Sequence, residues 1–191
     1  MALRNIVTEG DETLRKTSKE VKNFGERTRV LLDDMWETLR NAEGVGLAAP
    51  QVGVLRRAIV IDVTEPTGED EDGAPEYTGA GMLAYDPVAK AVNADGGSVY
   101  ELLNPEIVAS EGETCEREGC LSIPGVAGVV GRPERVIVKA MDREGNDVTV
   151  EGTGLLAKAL CHEIDHLNGI LFTDIAEEII NTGAEDEWTR S

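Results

Sequence analysis

The chain has 191 residues and two histidines, His162 and His166, which stand four apart. On an α-helix, residues i and i+4 lie one above the other, so both imidazoles can reach a single metal ion. Glu163 follows the first histidine, completing His162-Glu163-Ile164-Asp165-His166, and its carboxylate sits at the adjacent edge within reach of a water on the metal. The chemistry this pattern points to is metal-assisted hydrolysis with the glutamate moving the proton. A catalytic site of this kind needs a third protein ligand. The next histidine of one familiar pattern would fall where Phe172 stands. Glu185 and Glu187 lie near the distance of another, in a polar stretch with little to fix them. Cys120, within Glu118-Gly119-Cys120-Leu121-Ser122, offers a thiolate; with two imidazoles it leaves one position open for water. If Cys115 joins them, the same ligand types close into a structural zinc site of two cysteines and two histidines.

The helix these ligands need is written around them. Leu155, Leu156, Ala159, Leu160, Ile164 and Leu167 recur at helical spacing, Thr153 is placed to cap the start and Asn168-Gly169 to stop the end. Leu155, Ala159, His162 and His166 form a stripe that is expected to be buried. A second helix is expected from Phe24 to Asn41 on Val30, Leu31, Met35, Trp36 and Leu39, packing against the core with no chemistry of its own. Between them, Gly44 to Gln51 reads as a shaped loop, and Gln51 carries a neutral amide able to donate to an oxyanion.

Strands are expected over 57–63, over 99–108 with a break at Asn104-Pro105, and over 135–141 and 147–150 as a hairpin. Ser122 to Gly128 is too rich in glycine and proline for a central strand and is expected to run along a cleft. Residues 64–98, with Glu69-Asp70-Glu71-Asp72, read as a solvated acidic insertion. A short amphipathic helix from Ile175 to Ile180 and a frayed tail over 183–191 complete the expectation. The fold class is α+β: one domain over 1–191, with antiparallel β-sheets packed around a central buried metal-binding helix and a long N-terminal helix outside.

Three motifs occur in order: Gly44-Val45-Gly46-Leu47-Ala48-Ala49-Pro50-Gln51, Glu118-Gly119-Cys120-Leu121-Ser122 and His162-Glu163-Ile164-Asp165-His166. With them the chain resembles the peptide deformylases from about Leu14 to Phe172, departing in the 64–98 segment. The resemblance implies a metal-dependent amide hydrolase that removes the N-terminal formyl group from formyl-methionyl polypeptides and releases formate. It implies one divalent ion, Fe2+ or Zn2+, on Cys120, His162 and His166, with Glu163 as base and then acid. Gln51 and the backbone N–H of Leu121 would hold the oxyanion, and Val45, Gly46 and Gly119 would line the cleft. A shallow apolar pocket near Leu155 and Ala159 would take the methionine side chain, with Lys158 pointing outward. The implied partners are N-formylmethionyl nascent peptides, met transiently at the ribosome, and ferrous iron beside a thiolate implies oxygen sensitivity. The competing readings are a zinc endopeptidase using Glu185 or Glu187, the structural zinc protein, and a deformylase-like hydrolase acting on another amide or formyl substrate.

Asp and Glu number 37 against 18 Lys and Arg, a formal net charge of −19. This speaks against nucleic acid as a direct partner. The acidity runs from Glu9 to Glu187, and the expectation is a surface adapted to high salt. No apolar run approaches a membrane span, Met1 to Asn5 lacks the apolar core of a secretory signal, and three cysteines are an odd number without scaffold spacing; a cytoplasmic protein is expected.

Overall fold

A five-residue strand shows how the layers are arranged. In β2 (Ala58–Asp62), Ala58 and Val60 belong to one buried cluster while Ile59 and Ile61 belong to another, and all four are fully buried. A strand covered on both faces reads as a continuous apolar run, which is why 57–63 shows no alternation. The computed structural model describes residues 2–63, 68–69, 75–76 and 99–182.

The strand lies in a five-stranded antiparallel sheet of spatial order β1 (Gly46–Ala48), β2, β3 (Val99–Glu111), β6 (Arg135–Met141), β7 (Asp147–Thr153). Helix α1 (Glu26–Asn41) covers one face, packing Leu32, Met35, Trp36 and Leu39 against Ala58, Val60 and Leu103. Helix α2 (Gly154–Leu167) covers the other, packing Ala157, Leu160, Ile164 and Leu167 against Ile59, Ile61, Leu102, Val136, Val138 and Val150. Each of these buried Val, Leu and Ile side chains contributes about 1.5–3 kcal/mol relative to exposure, which anchors α2 on the sheet.

A second antiparallel sheet, in the order β8 (Glu178–Asn181), β5 (Ile123–Arg132), β4 (Thr114–Cys120), brings its own cluster of Ile123, Val130, Leu14, Leu171 and Phe172. A single turn, α3 (Phe172–Ile175), packs on it. Within 64–98 the described residues form one short antiparallel ladder, Gly68–Glu69 against Pro75–Glu76. The other expectations for that segment, and those for 183–191 with Glu185 and Glu187, lie outside the described residues.

The α+β architecture is the expected one, and several boundaries differ for physical reasons. Helix α1 begins at Glu26, because Asn23 bends the preceding chain by accepting from the Gly25 N–H; Phe24 stays outside, and Val30 faces solvent. Gly44 and Val45 are loop as expected, but Gly46 to Gln51 is regular: Gly46 to Ala48 pair with Ile61 to Ile59, and Ala49–Val52 forms a 3-10 turn. Asn104-Pro105 does not end β3. Asn104 takes φ 53° at a register shift, its amide clasps both backbone polar groups of Val21, and the strand continues to Glu111. Ser122 to Gly128 is largely strand after all. Pro124 and Gly125 fall where the register with β4 jumps, so no β4 residue is paired with either, and β5 is the central strand of its sheet. Residues 175–180 form the end of α3 and the edge strand β8 rather than one helix.

Candidate active site

Helix α2 starts and stops as expected, with Thr153 at the cap position, though without a side-chain bond, and with Gly169 at φ +76° after Asn168. Leu155 departs from the expected buried stripe: it lies in the first turn and is 48% exposed, whereas Ala159 and His166 are buried and His162 nearly so. Lys158 does not point outward. It is largely covered and donates to Glu116 Oε2 on β4 at 2.7 Å.

Strand β4 runs beside α2 and delivers Cys120 from its last position. Cys120 Sγ lies 3.2 Å from His166 Nε2, and one ligand atom from each of Cys120, His162 and His166 lies within 4.8 Å of the others. Among the described residues these three make up the candidate metal group; Cys115 is not in it and stands exposed near Glu177. One sulfur and two ring nitrogens suit a borderline divalent cation such as iron or zinc. His162 gives Nδ1 to Glu118 Oε2 at 3.0 Å, leaving Nε2 for a metal. Burial holds His166 well below the ordinary histidine range, whereas for His162 the hydrogen bonds with Cys120 and Glu118 prevail over burial and push the imidazole up to about 10.

Glu163 is buried beside this group, and its Oε2 has no partner among the described residues. Such an atom marks a place meant for something polar. Burial pushes its carboxyl up to about 7, against the opposing pull of His162. Its other oxygen fills the space left by Gly46, where a Cβ would stand 2.4 Å from Oε1. Gln51 is buried, not a surface loop residue. Its Oε1 accepts the Ala48 N–H at 2.8 Å, which turns Nε2 toward Cys120 Sγ at 3.5 Å and Ser122 Oγ at 3.3 Å.

Comparison with known proteins shows the family. The family model for polypeptide deformylase matches residues 3–181. The chain belongs to the polypeptide deformylase family. It is therefore an enzyme, and its reaction is removal of an N-terminal formyl group. A peptide deformylase of Acetivibrio thermocellus is 52% identical over 190 residues, covering 100% of this chain and 91% of that protein. The crystal structure of a peptide deformylase from Legionella pneumophila matches with TM-score 0.74 and 42% identity over 92% of this chain and 87% of its own. That from Thermotoga maritima gives TM-score 0.74 and 31% identity over 93% and 100%.

Within this deformylase fold the structure adds residues that spacing did not single out. Arg132, at the end of β5, donates from Nε and Nη2 to both oxygens of Glu118, at 2.7 and 3.0 Å, and from Nη1 to Asp165 at 2.6 Å. Burial alone would raise Glu118, but the hydrogen bonds from His162 and Arg132 prevail and hold its carboxyl down at about 2. Glu118 is thereby a fixed anion that orients His162. Its place two residues before Cys120, on the same strand face, was the available signal; Arg132 gave none. Val45 and Gly119 are exposed and Gly46 half-buried, and Leu121 sits at the turn between β4 and β5. Among the described residues no helix is long and apolar enough to cross a membrane.

Proposed function

We propose that this deformylase hydrolyses the formyl amide of N-formylmethionyl peptides at the centre formed by Cys120, His162 and His166, which would hold one divalent ion, Fe2+ or Zn2+. When bound, that ion supplies the Lewis acidity that lets water yield a nucleophile near neutral pH. Glu163 accepts the proton of the attacking water and returns it to the leaving amine. Burial raises its carboxyl, which favours both taking up and giving back a proton. Gln51 Nε2 and the Leu121 N–H receive the negative charge that develops on the formyl oxygen, each such donor worth about 3 kcal/mol in comparable hydrolases. Glu118, fixed by Arg132, keeps the His162 ring in place. Val45, Gly46 and Gly119 border the peptide, and the first turn of α2, with Leu155 and Ala159, receives the methionine side chain. The setting we infer is the cytoplasm, on chains leaving the ribosome, with a surface suited to high salt.

The observation that carries this reading is the Glu163 Oε2, buried and without a partner among the described residues, on the helix that brings His162 and His166 together with Cys120. The test is formate release from a formyl-methionyl tripeptide by protein purified without oxygen and assayed for bound metal. Formate from metal-loaded protein, and none from Cys120→Ala, is the expected result; a full metal site that releases no formate overturns it.

A further inference from the structure

Strand β4 and helix α2 meet in three rungs. Cys120 faces His166 at 3.2 Å, Glu118 faces His162 at 3.0 Å, and Glu116 faces Lys158 at 2.7 Å. Two residues along a strand advance about 6.6 Å and four along a helix about 6 Å, so the two periods stay in step. The first two rungs are the candidate metal centre and its support. The third lies one step beyond them, on the stretch of α2 that carries Ala159 and exposed Leu155, where the function proposed above puts the side chain that extends from the reacting amide. An unbranched side chain such as methionine's spans about one rung.

This rung is a built feature. The Lys158 side chain is 19% exposed and that of Glu116 47%, and the hydrogen bond from Lys158 holds the Glu116 carboxyl below the usual range. A lysine ammonium carries three donors, and the structure gives one to Glu116. Among the described residues Glu116 is its one hydrogen-bond partner, which leaves donors for a guest. A wholly apolar pocket would strand a polar side-chain terminus without a partner, and sites with a matching donor discriminate strongly in its favour.

We propose that Glu116 and Lys158 are a specificity-determining pair forming one wall of the first-residue pocket, with Lys158 supplying a donor that lets the enzyme accept side chains ending in a hydrogen-bond acceptor, formyl-methionine sulfoxide foremost. The inference rests on the deformylase reading above. The step is the same hydrolysis, so no further reactant enters.

The test compares kcat/KM for formyl-methionyl, formyl-norleucyl and formyl-methionine-sulfoxide tripeptides in the metal-loaded wild type, Lys158→Met and Lys158→Arg. For the wild type the sulfoxide peptide is expected within roughly tenfold of the methionine peptide. Lys158→Met lowers the sulfoxide-to-methionine ratio by roughly tenfold, chiefly through KM, with the norleucine-to-methionine ratio holding; Lys158→Arg, which keeps the donors, restores the ratio to within about threefold. A wild type that disfavours the sulfoxide by more than about a hundredfold overturns the proposal even if no variant folds, as does an unchanged ratio in Lys158→Met. Wild-type turnover of the formyl-methionyl peptide with either result sinks the pair alone; no turnover of any peptide sinks the deformylase reading with it.

Discussion

Glu118 shows how one residue links site geometry to stability. Its carboxyl falls from an ordinary 4.5 to about 2 because the hydrogen bonds from His162 and Arg132 outweigh the effect of burial. A depressed folded-state value contributes stability that is fully present above the unfolded value and is lost as pH falls through the folded one. The window is therefore about pH 4.5 down to about 2, and the shift amounts to at most about 3 kcal/mol. Urea unfolding of chelated protein across this range should show a steep loss for the wild type and a flatter one for Glu118→Gln. Equal slopes would mean that the carboxylate is not held as the structure shows. At this scale the sequence disclosed much of the site, since histidine and cysteine are scarce here and their spacing is restrictive. Arg132, Asp165 and Ser122 were hidden because their types are ordinary. Their roles arise only when the β4–β5 hairpin folds back and when Gln51 turns inward.

At the scale of elements, α2 was legible from end to end, because its apolar periodicity and its Asn168-Gly169 stop are local signals. Gly169 marks that stop with φ +76°, and a Cβ there would stand 2.7 Å from the carbonyl carbon and oxygen of Arg15. Both neighbours are backbone and cannot swing aside. Gly169→Ala should therefore lower stability by more than about 1 kcal/mol, seen as a lower urea midpoint with an unchanged slope; a neutral substitution would contradict this packing of the N-terminal segment on the helix end. Strands β3, β5 and β8 were less legible. Asn104-Pro105 and Pro124-Gly125 carry the composition of breaks, yet each falls at a register shift where the ladder demands little of it. The short, largely exposed edge strand β8 depends on its pairing with β5, a tertiary fact that periodicity cannot supply.

The whole molecule carries a formal charge of −19. Like charges repel over about 30 Å at about 0.01 M salt and over about 3 Å at about 1 M. Folding should therefore strengthen with salt. The melting temperature is expected to rise from about 0.05 M to about 2 M KCl; a flat or falling trend would remove the salt-adapted reading. The central claim, however, concerns the division of labour between the three ligands and Glu163, and one paired measurement on the whole enzyme addresses it most directly. Glu163→Gln, prepared without oxygen, is assayed for metal per chain and for formate released from a formyl-methionyl peptide. The account predicts close to one metal per chain, as in the wild type, with turnover lower by roughly a thousandfold or more. A Glu163→Gln protein that emerges without metal, or that keeps its metal and releases formate at the wild-type rate, would contradict it.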